Sequence, residues 1–103
     1  MVEVVETRSP NWHVYIIRTA AGLLYTGIST DPLRRLQEHE SSKKGARSLR
    51  GKGPLQIVFQ AYAADRSIAS ILEARIKRLS RAQKLLLIRG DVTVSRLLIV
   101  PDC

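Results

Sequence analysis

The side chains in this chain that could do phosphoryl chemistry are two tyrosines, Tyr15 and Tyr25, an arginine pair, Arg34 and Arg35, and a later glutamate, Glu73. Cutting a phosphodiester needs an in-line water or hydroxide, a group to take its proton, and positive charge against the phosphoryl oxygens. One Mg²⁺, held by a single carboxylate and keeping most of its waters, can supply part of that charge and stabilise the departing oxygen. One Glu and one Arg around a metal are then enough. Tyrosine is an unusual base, because an ordinary pKa of about 10 leaves little phenolate at neutral pH. A neighbouring arginine or metal must lower that value, or the phenol only orients the water. Taken alone, the tyrosines read as strand residues with a wet hydroxyl. Glu73, four residues before Lys77, reads by position as half of a helical ion pair worth roughly 0.2–0.5 kcal/mol, with metal binding as the alternative.

These groups meet only if the elements between them fold in one order. Val14 to Arg35 reads as strand, turn, strand, helix, which carries Tyr15, Tyr25 and one of the two arginines to one end of a small sheet. Trp12 to Arg18 alternates, with Trp12, Val14 and Ile16 on one face and His13, Tyr15 and Ile17 on the other. Thr19 to Gly22 turns the chain, Gly22 being able to take positive φ, and Leu23 to Ile28 returns as the second strand. Tyr15 lies opposite Tyr25 if Ala20 is the centre of the turn, and a slip of one residue puts them on opposite faces.

Asp31 caps a helix that Pro32 opens and that runs to about Glu40, with Leu33 and Leu36 as its buried stripe. Arg34 falls above Glu38 and Arg35 above His39, so Arg34 has a local carboxylate and Arg35 is the more available to an outside anion. Pro54 opens a strand to about Tyr62, with Leu55, Ile57, Phe59 and Ala61 alternating against Gln56, Val58, Gln60 and Tyr62. Asp65 or Ser67 caps the next helix, to about Leu79, whose stripe of Ile68, Ile71, Leu72, Ile76 and Leu79 covers the sheet. A third helix, Ser80 to Arg89, turns Leu85, Leu86 and Ile88 inward and stops at Gly90.

A chain of 103 residues suits one domain. The expected division is a lead-in over 1–11, a domain over 12–90 and an apolar tail over 91–103 that packs on the domain or meets a second copy as a homodimer. With 17 Lys and Arg against 9 Asp and Glu, the net charge of +8 draws polyanions, nucleic acid first. Lys43, Lys44, Arg47, Arg50 and Lys52 sit in a Gly- and Ser-bearing loop without an acid. By composition such a loop is merely solvated, yet directly after the arginine helix it is placed, with Arg34, to hold a phosphate backbone. The single cysteine, Cys103, excludes an internal disulfide and a cysteine-built zinc site. Glu3 and Glu6 stand where a secretory signal would be basic, and no apolar run is long enough to cross a bilayer, so a cytoplasmic place with no membrane partner is expected.

The ordered set Val14-Tyr15-Ile16, Tyr25-Thr26-Gly27, Arg35 on the next helix and Glu73 on a later one resembles the GIY-YIG nuclease superfamily over roughly residues 12 to 85. Within it the chain is most similar to the small stand-alone bacterial YhbQ-like (UPF0213) group, sharing the Thr26-Gly27-Ile28 element and the basic segments Lys44-Gly45-Ala46 and Leu49 to Leu55. The resemblance implies an α+β fold, a small three-stranded antiparallel sheet flanked by helices in the order β-β-α-β-α-α. It also implies a divalent-metal-dependent cut in nucleic acid, DNA rather than RNA. It makes Tyr15 the general base, Tyr25 its hydrogen-bonding companion, Arg35 the phosphate-binding cation and Glu73 the ligand of one Mg²⁺ or Mn²⁺. His39 falls near a histidine of some members and is a candidate auxiliary acid or base, although a lone histidine on a helix surface reads as a bystander. The chain departs from the family name at His13-Val14, in place of Gly-Ile, and at Thr26. His13 shares the face of Tyr15, where it could narrow access and is a second candidate auxiliary.

The reading these observations favour is an endonuclease or nickase selective for DNA structure and working in repair. The alternatives are a nucleic-acid-binding module of the same fold that cuts weakly or not at all, and a basic protein-interaction domain.

Overall fold

Val14, Tyr15, Ile16 and Ile17 are all buried, a run that only a central strand covered on both faces allows. A computed structural model describes residues 11–41 and 54–93, and in it this run lies in β1 (Trp12–Arg18), flanked by β2 (Leu24–Ser29) and β3 (Gln56–Ala63). The sheet is antiparallel throughout, in the order β2-β1-β3. The helices are α1 (Pro32–Ser41), α2 (Arg66–Arg78) and α3 (Arg81–Arg89), so the element order is the one the resemblance implies. Lys43, Lys44, Arg47, Arg50, Lys52 and the tail beyond Thr93 lie outside the described residues. No helix among the described residues is long and apolar enough to cross a membrane.

The hairpin closes one residue later than expected. Thr19 N–H donates to the Leu23 carbonyl at 2.9 Å, Leu23 N–H donates to Thr19 Oγ1 at 3.0 Å, and Gly22 turns the chain at φ 91°. That closure centres the turn on Ala21, so Tyr15 stands opposite Gly27, and Tyr25 stands opposite Ile17. Moving the centre by one whole residue shifts the paired position by two, so both tyrosines keep the same face as diagonal neighbours.

The two faces of the sheet carry separate cores. Val14 and Ile16 pack with Ala63, Ala69, Leu72, Ile76 and Leu87, beneath α2 and α3. Tyr15, Ile17 and Leu55 pack with Tyr25, Leu36 and Ile57 on the side of α1. β3 serves both because its alternation breaks: Ile16 pairs with Phe59 but Ile17 with Ile57, which leaves Val58 as a bulge. Leu55 and Ile57 therefore face Tyr15, whereas Val58, Phe59 and Ala61 pack on the opposite core. Continuous alternation through this strand is thus corrected.

Each helix stripe departs in part from the one expected. On α1, Leu33 is exposed, and Pro32, Leu36 and His39 face inward at i, i+4 and i+7. On α2 the expected Leu72 and Ile76 are buried with Ala69, and Ile68 and Leu79 pack beside them, while Ile71 is exposed. On α3 Leu87 is buried and Ile88 packs beside it, while Leu85 and Leu86 stay exposed. The ends follow the expected chemistry. Asp31 and Asp65 accept the backbone N–H three residues on, and Ser80 and Gln83 form a capping box. Gly90, at φ 85°, stops α3 with its N–H on Leu87 and that of Asp91 on Leu86.

Candidate active site

Tyr15 is the buried centre of the site, and the strand beside it is shaped around its ring. A Cβ at Gly27 would lie 2.7 Å from the phenol oxygen and 2.9 Å from Cζ, so only glycine lets the ring lie across β2. α1 then brings His39 down from above, with Nε2 at 3.4 Å from the Tyr15 oxygen and its ring edge-on to Tyr25 at a centroid distance of 5.5 Å. His39 is 1% exposed, so its expected place on the helix surface is corrected to the buried side of α1. Its slot, three residues after Leu36 and seven after Pro32, lies on the stripe that α1 buries, one step round from the stripe expected from Leu33 and Leu36.

Arg35 and Arg34 share one carboxylate. Arg35 Nη1 donates to Glu38 Oε1 at 2.9 Å, and Arg34 Nε lies 3.5 Å from Glu38 Oε2. The expectation that Arg34 alone holds Glu38 is corrected, because residues three apart on a helix are neighbours as surely as those four apart. Arg35 is the more buried of the two, with its side chain 35% exposed against 75% for Arg34. Both line a groove of about 230 Å³ with Ser29, Thr30, Asp31 and Glu38, and this groove is wide enough for a phosphate group.

The electrostatics separate the roles of these groups. Burial pushes the Tyr15 phenol up to about 12, and Tyr25 and Glu73 push the same way. Arg35 opposes them through its charge and a hydrogen bond, without overcoming burial. Burial also moves His39 below its ordinary value, helped by the Arg35 charge and opposed by Glu38. At neutral pH the pair is therefore a protonated phenol beside an uncharged imidazole. With the imidazole proton on Nδ1, Nε2 is an acceptor for the phenol O–H.

Residues 11–85 match the model of the GIY-YIG catalytic domain. The chain belongs to the GIY-YIG family. It is 62% identical over 73 residues to the UPF0213 protein SG0387 of Sodalis glossinidius, covering 71% of this chain and 67% of that one. It is 58% identical over 73 residues to a UPF0213 protein of Yersinia pestis (strain Pestoides F), covering 71% and 76%. The solution NMR structure of the UPF0213 protein BH0048 from Bacillus halodurans aligns with a TM-score of 0.51 at 34% identity, over 85% of this chain and 93% of that one. The family is one of nucleases, and the UPF0213 names state no activity.

In GIY-YIG terms the remaining residue expected in the site is Glu73, on α2. Its side chain is 25% exposed, and Lys77 Nζ holds its Oε2 at 3.2 Å, the ion pair that the spacing predicts. Its charge acts on Tyr15. No group of three or more His, Cys, Asp or Glu side chains suitable for a metal occurs among the described residues. A partly exposed hard oxygen donor without companions fits Mg²⁺, which binds through one or two carboxylates, water and substrate phosphate, and does not fit a closed structural site. His13, in place of the family glycine, meets Tyr62 edge-on at 6.0 Å, and its Nδ1 is buried with no hydrogen-bond partner. Tyr62, which the sequence did not single out, thereby becomes part of this face.

Proposed function

We propose that this GIY-YIG domain nicks nucleic acid, DNA rather than RNA, choosing its substrate by shape and acting in repair. The observation that carries this reading is the meeting of Tyr15, Tyr25, His39 and Arg35 on one face of the sheet, with the Glu73 charge reaching the same phenol. Glu73 would hold one Mg²⁺ or Mn²⁺, and that ion supplies charge against the phosphoryl and departing oxygens when bound.

The residues divide the remaining work. Arg35 binds a phosphoryl oxygen by exchanging its contact with Glu38 for one with substrate. A phenol at about 12 is too weakly acidic to wait as phenolate, so Tyr15 takes the water proton only as it passes its own to His39 Nε2. One proton enters the phenol oxygen and one leaves it, and the imidazole ends protonated. Tyr25 packs edge-on against that ring and holds it on the phenol.

The second reading, a module that binds without appreciable cutting, is favoured by the ion pairs that occupy Arg35 and Glu73. The two readings separate on branched, flapped, nicked and single-stranded substrates incubated with and without Mg²⁺ or Mn²⁺. Loss of metal-dependent nicking in Glu73→Gln, with binding retained, supports the nuclease. Cutting that persists unchanged in that variant points to a contaminant and leaves the binding module.

A further inference from the structure

We infer that Tyr62 is a specificity-determining residue, a platform on which an unpaired base next to the cleaved phosphate stacks. The inference rests on the nuclease reading for the position of that phosphate. Tyr62 is 61% exposed on the edge strand β3, with the ring of His13 set against it at 75°. The bulge at Val58 decides where the ring points. Phe59, Ala61 and Ala63 pack on the α2 core, so Gln60 and Tyr62 belong to the face of Tyr15.

α1 covers the β2 half of that face with Leu36 and His39, while Gln60 and Tyr62 on the β3 half remain exposed. Gln60 is the strand partner of Tyr15, and Tyr62 is two residues on, a diagonal separation of about 7–8 Å. Ser29, which lines the groove beside Arg35, pairs with His13, and His13 pairs with Tyr62, so a phosphate in that groove lies two strand spacings, about 10 Å, from this exposed ring. A base within a duplex has its faces covered by its neighbours, whereas an unpaired base can lay its face on a phenol ring. The ring therefore selects a strand whose base is out of the stack, at a single strand, flap or gap.

The test uses the full chain without divalent metal, so that binding is read with no cutting. The probes are a single-stranded DNA oligonucleotide carrying one 2-aminopurine and the perfect duplex of the same sequence. Tyr62→Ala is expected to weaken single-strand binding by about 5- to 100-fold and to abolish the quenching of 2-aminopurine. Tyr62→Phe is expected to keep both, and duplex binding to change by less than about 2-fold in either variant. Equal loss on the two probes, or no loss in Tyr62→Ala, overturns the inference and leaves Tyr62 as an ordinary exposed strand residue. Cleavage of the wild-type chain with Mg²⁺ is scored separately. Ring-dependent stacking without any cleavage sinks the nuclease reading and keeps the platform, while cleavage indifferent to Tyr62 does the reverse.

Discussion

The phenol oxygen of Tyr15 lies 2.7 Å from where a Cβ on Gly27 would stand, so the central residue of the site and the glycine opposite it fit only as a pair. Because the ring is buried, Gly27→Ala cannot be absorbed by swinging the phenol into solvent. An overpacked position of this kind costs about 1–3 kcal/mol. Chemical denaturation should show that loss in the wild-type background and little of it in Tyr15→Ala, where the ring is gone. Additive effects of the two substitutions would mean that the clash is relieved elsewhere.

Glu38 stands between the arginines and any phosphate. Glu38→Gln should strengthen DNA binding several-fold, because it removes the carboxylate that Arg35 must leave. Arg35→Ala should weaken binding and lower the slope of log affinity against log salt by about 1. In the Arg35→Ala background the gain from Glu38→Gln should shrink to the share of Arg34. A gain of the same size in both backgrounds would reduce Glu38 to a general negative charge.

The order of elements, the caps and the common face of the two tyrosines were legible because each follows from local chemistry: period-2 strands, Asp31-Pro32, Asp65, Ser80 and Gly90. What was not legible came from tertiary contact. Spacing identifies Glu38 as a neighbour of Arg34 and equally of Arg35, three residues before it, but which arginine makes the closer contact is set by how α1 packs. His39 looks like a polar helix residue until Tyr15 and Tyr25 enclose it. The face of Tyr62 depends on one extra residue in β3, and an alternating apolar pattern carries no mark of where a bulge will fall.

His39 and Tyr15 give opposite pH behaviour. His39 has a folded value below its ordinary 6.5, so as pH falls below 6.5 the unfolded chain takes up the proton before the folded one does. Stability is therefore lost on acidification, by at most about 1.4 kcal/mol per pH unit from this group, and His39→Gln should flatten that limb. Tyr15 is raised from 10.0 to about 12, so its contribution is complete below pH 10 and disappears as pH climbs from 10 to 12. Tyr15→Phe should flatten that alkaline limb. If His39 receives the proton, cleavage should also fall on the acid side as the imidazole charges, with a lower midpoint in Arg35-containing protein than in Arg35→Ala. Denaturation and single-turnover rates across pH check both limbs, and an acid limb unchanged in His39→Gln would remove the relay.

The bulge makes the clearest claim about how β3 is read. Deleting Val58 joins Ile57 to Phe59 and leaves every other pairing with β1 as it is, Ile57 on Ile17 and Phe59 on Ile16. The strand then alternates without interruption, at the loss of one partly buried valine, about 1.5–3 kcal/mol at full burial and less here. Deleting Gln60 instead closes the bulge by moving Val58 onto Ile16 and Phe59 onto Tyr15, so Phe59 leaves the α2 core for the opposite face. The Val58 deletion should therefore fold with a lowered Tm and keep the edge-to-face contact between His13 and Tyr62. The Gln60 deletion should lower Tm further, because it takes Phe59 out of its core as well. Equal damage from the two would mean that the bulge is needed for more than register, most simply for the twist that lays Tyr62 beside Tyr15.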